Sequence, residues 1–243
     1  MTLYSVVGII STVTLSLPIL IILALRLTWY KSFPALLAYY IIAFSYNLFW
    51  LNYIKTDSNF VHYYGLLNNF LDIPLMLTFI TYFSPTALFR RRMRLGIYAF
   101  LLFEIVVIAF YGLGVRSMTI ILAPGLVTML VLSLLFFIHQ AKITVIHQKA
   151  AGKAFMVSAV LFAYGGYSFL YIVYYLMKTT YKTDSYLVYF LVTIFSSLLI
   201  SMGIFFERRR VKQLAEVQTT RKELKLIYGG AGSDSSISER QAY

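Results

Sequence analysis

Residues 61–83, VHYYGLLNNFLDIPLMLTFITYF, carry the decision about the fold. The run holds one acid, Asp72, and no Lys or Arg. The hydrocarbon core of a bilayer is about 30 Å thick, and a helix needs about 20 residues to cross it. This run is long enough, and it lacks the apolar–polar alternation of a barrel strand. Lipid offers nothing to hydrogen-bond a backbone, so a helix, which satisfies its own donors and acceptors, is the form to expect. Residues 61–83 therefore read as a transmembrane helix with a carboxyl near its middle.

Six further runs have the same character: residues 3–27, 33–54, 95–113, 118–138, 154–177 and 186–206. The expected fold class is an all-α integral membrane protein, a bundle of seven transmembrane helices. Composition agrees, with 60% hydrophobic and 12% charged residues and a mean hydropathy of +0.77. A soluble domain carries about 25% charged residues. The opening Met-Thr-Leu-Tyr-Ser has no basic residue and reads as the start of the first span, not as a removable signal. Three parts are expected: a transmembrane domain at 1–206, a cytoplasmic helical extension at 207–228 and a disordered tail at 229–243.

Basic residues set the orientation. Arg26, Lys31, Arg90, Arg91, Arg92, Arg94, Lys142, Lys149, Lys153, Arg208, Arg209, Arg210 and Lys212 fall on one side, against Lys55, Arg116, Lys178 and Lys182 on the other. The positive-inside rule then places the N-terminus outside and the C-terminus in the cytoplasm, as a multi-pass protein of the cell membrane. The net charge of +12 is accounted for by these loops and the tail. Anionic lipid, and a cytoplasmic partner at the basic loops and tail, are its expected counterparts; nucleic acid is not. Without cysteine there is no disulfide or thiol chemistry, and three unpaired histidines give no metal site.

Two acids lie inside apolar runs, Asp72 in the third and Glu104 in the fourth. An ionisable side chain at mid-bilayer costs about 2.5–3.5 kcal/mol on insertion scales, so it usually faces the bundle interior and has a role. Consecutive antiparallel helices are normally neighbours, so the two carboxyls are placed to meet and to share a proton. Asn68 and Asn69 lie one turn before Asp72 and can hydrogen-bond it. Pro74 removes one helical hydrogen bond beside them. In the sixth run Tyr164, Tyr167, Tyr171, Tyr174 and Tyr175 fall within an arc of about 100°. They are candidates to line a pocket for an apolar ligand.

Asn69-Phe70-Leu71-Asp72-Ile73-Pro74-Leu75-Met76-Leu77, taken with seven spans and an outside N-terminus, resembles the microbial (type 1) rhodopsin family. Its third helix carries an acid–Trp pair, two residues, then Thr-Thr-Pro-Leu-Leu. On that match Asn68 stands at the counterion acid, Asn69 at the Trp and Asp72 at the first Thr. Phe162, Tyr164 and Phe169 around Gly165-Gly166 are similar to the aromatic wall of the retinal pocket. The retinal lysine is missing: the seventh run has Thr193, Ser196 and Ser197 in that region. The resemblance thus implies a lysine-less relative with no covalent cofactor, which excludes a covalent retinal pump.

Three functions follow as expectations. The first is a sensor or binding protein for a non-covalent apolar ligand, with no catalytic residue. The second is a proton-coupled transporter using Asp72 and Glu104. The third is a membrane enzyme acting on a lipid or isoprenoid.

Overall fold

A computed structural model describes residues 3–147, 151–173 and 182–229. Its helices are α1 (Leu3–Ala24), α2 (Phe33–Trp50), α3 (Ser58–Ile80), α4 (Ala87–Tyr111), α5 (Val115–His147), α6 (Ala151–Tyr171) and α7 (Lys182–Gly229). A single 3₁₀ turn, Thr81–Phe83, extends α3. Each of the seven contains a stretch long and apolar enough to cross a membrane.

The ends of the helices follow from local chemistry. Pro34 sits in the first turn of α2, where its missing N–H is not needed. Asn52, at φ 56°, turns the chain just beyond α2, and Gly112, at φ 73°, does so after α4. Thr86 caps α4, its hydroxyl accepting from the Phe89 N–H at 3.2 Å. This cap sets the start of α4 at Ala87, eight residues before the apolar run at 95, and brings Arg90, Arg91, Arg92 and Arg94 into the helix. Likewise α5 runs on to His147, past the expected 138. Hydropathy marks where lipid ends, and helix propensity carries the backbone further.

Six helices close a ring in the order α1, α2, α3, α5, α6, α7, with α7 returning to α1. Helix α4 packs from outside against α3 and α5, and its inward face is narrow: Met93, Glu104 and Val107. The outer faces are apolar, with Leu102, Ile105 and Phe110 on α4, Val127, Leu134 and Leu135 on α5, and Leu191, Phe195 and Met202 on α7 all exposed. In water so much contiguous apolar surface would drive association; in lipid it is the solvated surface.

The ends of α1, α3 and α5 and the starts of α2, α4 and α6 lie at one end of the bundle, called here the basic end. There Phe33, Phe79, Tyr82, Phe83 and Phe136 interlock at ring-centroid distances of 5.4–6.4 Å. Tyr82 donates its hydroxyl to Glu207 Oε1 at 2.6 Å, fastening the end of α3 to α7. Lys153 Nζ lies 4.7 Å and Lys31 Nζ 5.4 Å from the centre of the same ring. Glu207, only 3% exposed, therefore belongs to the bundle and not to a solvated extension, although α7 does run on to Gly229. Of the tail expected to be disordered at 229–243, Gly229 ends α7 and residues 230–243 lie outside the described residues.

Tyr82→Phe keeps the ring and removes the hydroxyl that donates to the buried Glu207 carboxyl, so it is expected to lower stability by about 1–3 kcal/mol. Thermal unfolding of the variant and the parent in the same detergent measures it.

Candidate functional site

Helix α3 brings Asn68, Asn69 and Asp72 to one cavity of about 350 Å³ inside the ring. Asp72 lies fourteen residues from Ser58, roughly 20 Å along the helix at 1.5 Å per residue. The cavity extends from there toward the end opposite the basic one. Its other walls come from α2 (Tyr39, Ala43, Tyr46, Asn47, Trp50), α5 (Leu122, Leu126), α6 (Tyr167, Leu170, Tyr171) and α7 (Tyr189, Phe190). The volume falls in the range of small-molecule pockets, about 300–1,000 Å³.

The walls are held by hydrogen bonds and ring contacts across helices. Tyr164, fully buried on α6, donates its hydroxyl to Asp72 Oδ1 at 2.6 Å. The Tyr167 ring meets Tyr164 edge-on at 5.8 Å and stacks on Tyr189 at 5.9 Å. The Tyr171 hydroxyl donates to the carbonyl of Thr119 on α5 at 3.0 Å. Asn47 Nδ2 donates to Thr12 Oγ1 at 3.2 Å, tying α2 to α1 at the cavity wall. Pro74 leaves the Phe70 carbonyl without its helical N–H partner, and one turn further on the Thr78 hydroxyl donates back to the Pro74 carbonyl at 2.8 Å.

Asp72, expected to meet Glu104, takes its hydrogen bond from α6. Asp72 is hydrogen-bonded to Tyr164, and no hydrogen bond joins it to Glu104 among the described residues. Glu104, 5% exposed, does not line the cavity. It sits on the face of α4 turned to α3 and α5, where Leu66, Phe70, Val107, Met118 and Ile121 form a small separate core. Its Oε1 is buried and has no hydrogen-bond partner. Adjacency of α3 and α4 is real, but the rotation of α3 about its own axis turns Asp72 toward α6.

Phe162 and Phe169 are corrected too. They are 46% and 56% exposed, on the outer face of α6, and do not line the cavity; Phe162 packs edge-on against Phe195 at 6.1 Å. At 100° per residue they fall about 140–160° from Tyr164 on the wheel, so the helical period itself separates them from the tyrosine stripe. Of that stripe, Tyr167 and Tyr171 line the cavity, Tyr164 supports it through Asp72, and Tyr174 and Tyr175 lie outside the described residues.

Sequence reasoning passed over the contribution of α2. Tyr39, Ala43, Tyr46, Asn47 and Trp50 recur at i, i+4, i+7, i+8 and i+11, one helical face with an amide inside an apolar run. That pattern was the available signal. Among the described residues no group of three or more His, Asp or Glu is placed to hold a metal ion. No protein-family model, curated protein or solved structure matches this chain.

Proposed function

We propose that the chain is a seven-helix membrane sensor or binding protein whose cavity takes a non-covalent, mainly apolar ligand with one polar end. One observation carries this reading: a single cavity joins aromatic walls from seven positions on α2, α6 and α7 to a polar group, Asn68, Asn69 and Asp72, on α3. Binding pockets have this composition, largely apolar with a few polar groups that fix orientation.

The orientation belongs to the same proposal: N-terminus outside and C-terminus cytoplasmic, in the cell membrane, on the asymmetry of basic residues. The cavity then lies in the outer half of the bundle, and the Tyr82–Glu207 bond and the long α7 lie on the cytoplasmic side. Ligand-dependent movement of α3 would reach α7 through that bond, and the basic loops would meet a partner. The proposal does not lean on a rhodopsin-like arrangement. A carrier built on both acids has less support, since Asp72 faces the cavity and Glu104 the α3–α4–α5 core.

Gentle purification followed by native mass spectrometry tests the reading. A small molecule released on unfolding, in near-stoichiometric amount, supports it; protein that is empty and binds nothing from a membrane extract argues against it.

A further inference from the structure

We infer that the polar end of the ligand is a cation: a protonated amine on an apolar body, seated with its ammonium against Asp72. The inference rests on the cavity being the ligand site. Three features select the charge. First, among the described residues Asp72 is the only carboxyl on the cavity wall, and no Lys, Arg or His lines it. A ligand entering there meets an acid with no basic neighbour on the wall, which favours a positive group and repels an anion.

Second, the geometry of Asp72 leaves room for a donor. Tyr164 donates to Oδ1, and among the described residues this is the side-chain hydrogen bond the carboxyl makes. A carboxylate has about four acceptor sites in all. Asn68 and Asn69 line the cavity one turn along the same helix, and each amide carries an acceptor oxygen within the same wall. An ammonium has three donors and no acceptor, so Asp72 and one or two amide oxygens match it in number and in kind.

Third, the remaining wall is aromatic. Tyr39, Tyr46, Trp50, Tyr167, Tyr171 and Tyr189 surround the space next to the acid. Electron-rich rings attract organic cations by their quadrupoles, and Trp does so best. The protein already makes such contacts elsewhere, with Lys153 at 4.7 Å from the Tyr82 ring centre and Arg116 at 5.1 Å from that of Tyr111. A bare metal ion is a poorer match, because hard cations ask for six or more oxygen ligands and the wall supplies rings.

Equilibrium dialysis of the full chain in lipid nanodiscs tests this, using 2-(naphthalen-1-yl)ethylammonium and its neutral counterpart 2-(naphthalen-1-yl)ethanol, with empty nanodiscs subtracted. The ammonium is expected to bind at least about tenfold more tightly than the alcohol. Asp72→Asn is expected to remove that preference, weakening the ammonium at least about tenfold more than the alcohol. Asp72→Glu keeps the charge and should keep the preference, so a failure of Asp72→Asn to fold does not decide the matter. If the alcohol binds as well as the ammonium, or if Asp72→Asn leaves the preference intact, the cation assignment is overturned while the cavity stands as a binding site. If neither probe binds, the assignment is overturned as well, and native mass spectrometry then judges the binding reading on its own.

Discussion

Gly152→Val is expected to prevent α6 and α7 from closing at the basic end of the bundle. A Cβ at this position lies 2.6 Å from the Glu207 backbone nitrogen, 2.8 Å from the Gly203 carbonyl oxygen and 3.0 Å from the Glu207 Cα. All three are backbone atoms of one helix, so no rotamer relieves the clash. Gly203 faces the same crossing, where an added Cβ meets the Gly152 carbonyl oxygen at 2.9 Å. Two helices in lipid gain little from apolar burial as such and depend on this close, small-residue contact. Forcing them apart also loosens the fully buried Met156 and Ile204 and disturbs the seat of Glu207. Overpacking in a core ordinarily costs about 1–3 kcal/mol, and the backbone origin of this clash puts the expected loss at the top of that range or above it. The yield of monodisperse protein and its melting temperature report it. Gly165→Ala on the same helix is the matched control. Its Cβ meets nothing within 4 Å, and alanine favours a helix over glycine by about 1 kcal/mol. That variant should be at least as stable as the parent.

Leu122→Trp is expected to give the largest loss of ligand binding with the fold preserved. Leu122 stands on the cavity wall and is only partly buried, so a larger side chain there has the cavity itself to grow into. An indole placed in a space of about 350 Å³ competes directly with any ligand that fills it. Affinity for a bound small molecule should fall at least about a hundredfold, the equivalent of roughly 2.7 kcal/mol. Binding of the naphthyl probes and the amount of co-purified ligand measure the effect. An unchanged affinity would place the ligand somewhere other than this cavity.

The seven spans were legible because each is a run of about 20 apolar residues and the bilayer sets that length. Where the helices end was not legible from hydropathy: Thr86 starts α4, and the arginines that follow it do not break a helix. Asp72 stood out because lipid penalises a carboxyl, and the structure places it on the cavity wall. Its partner did not stand out. Tyr164 is 92 residues away, and a one-dimensional pattern carries no information on how α3 is rotated relative to α6. Glu207 was masked by context, since an acid beside Arg208, Arg209 and Arg210 reads as tail even though α7 keeps it buried. The misplaced Phe162 and Phe169 differ in kind, because the helical period already set them on the far side of Tyr164.

Ligand binding beside Asp72 needs a solvent-reachable cavity in the middle of the bundle. The chain has no native cysteine, so a single introduced thiol reports its own surroundings. In membranes, Leu122→Cys should react with a small water-soluble methanethiosulfonate, and reaction should slow when a ligand is bound. Leu134→Cys, on the outer face of the same helix, should stay unreactive in lipid. Equal silence at both positions would mean that the interior beside Asp72 is closed to water-soluble molecules, and would contradict a reachable ligand cavity there.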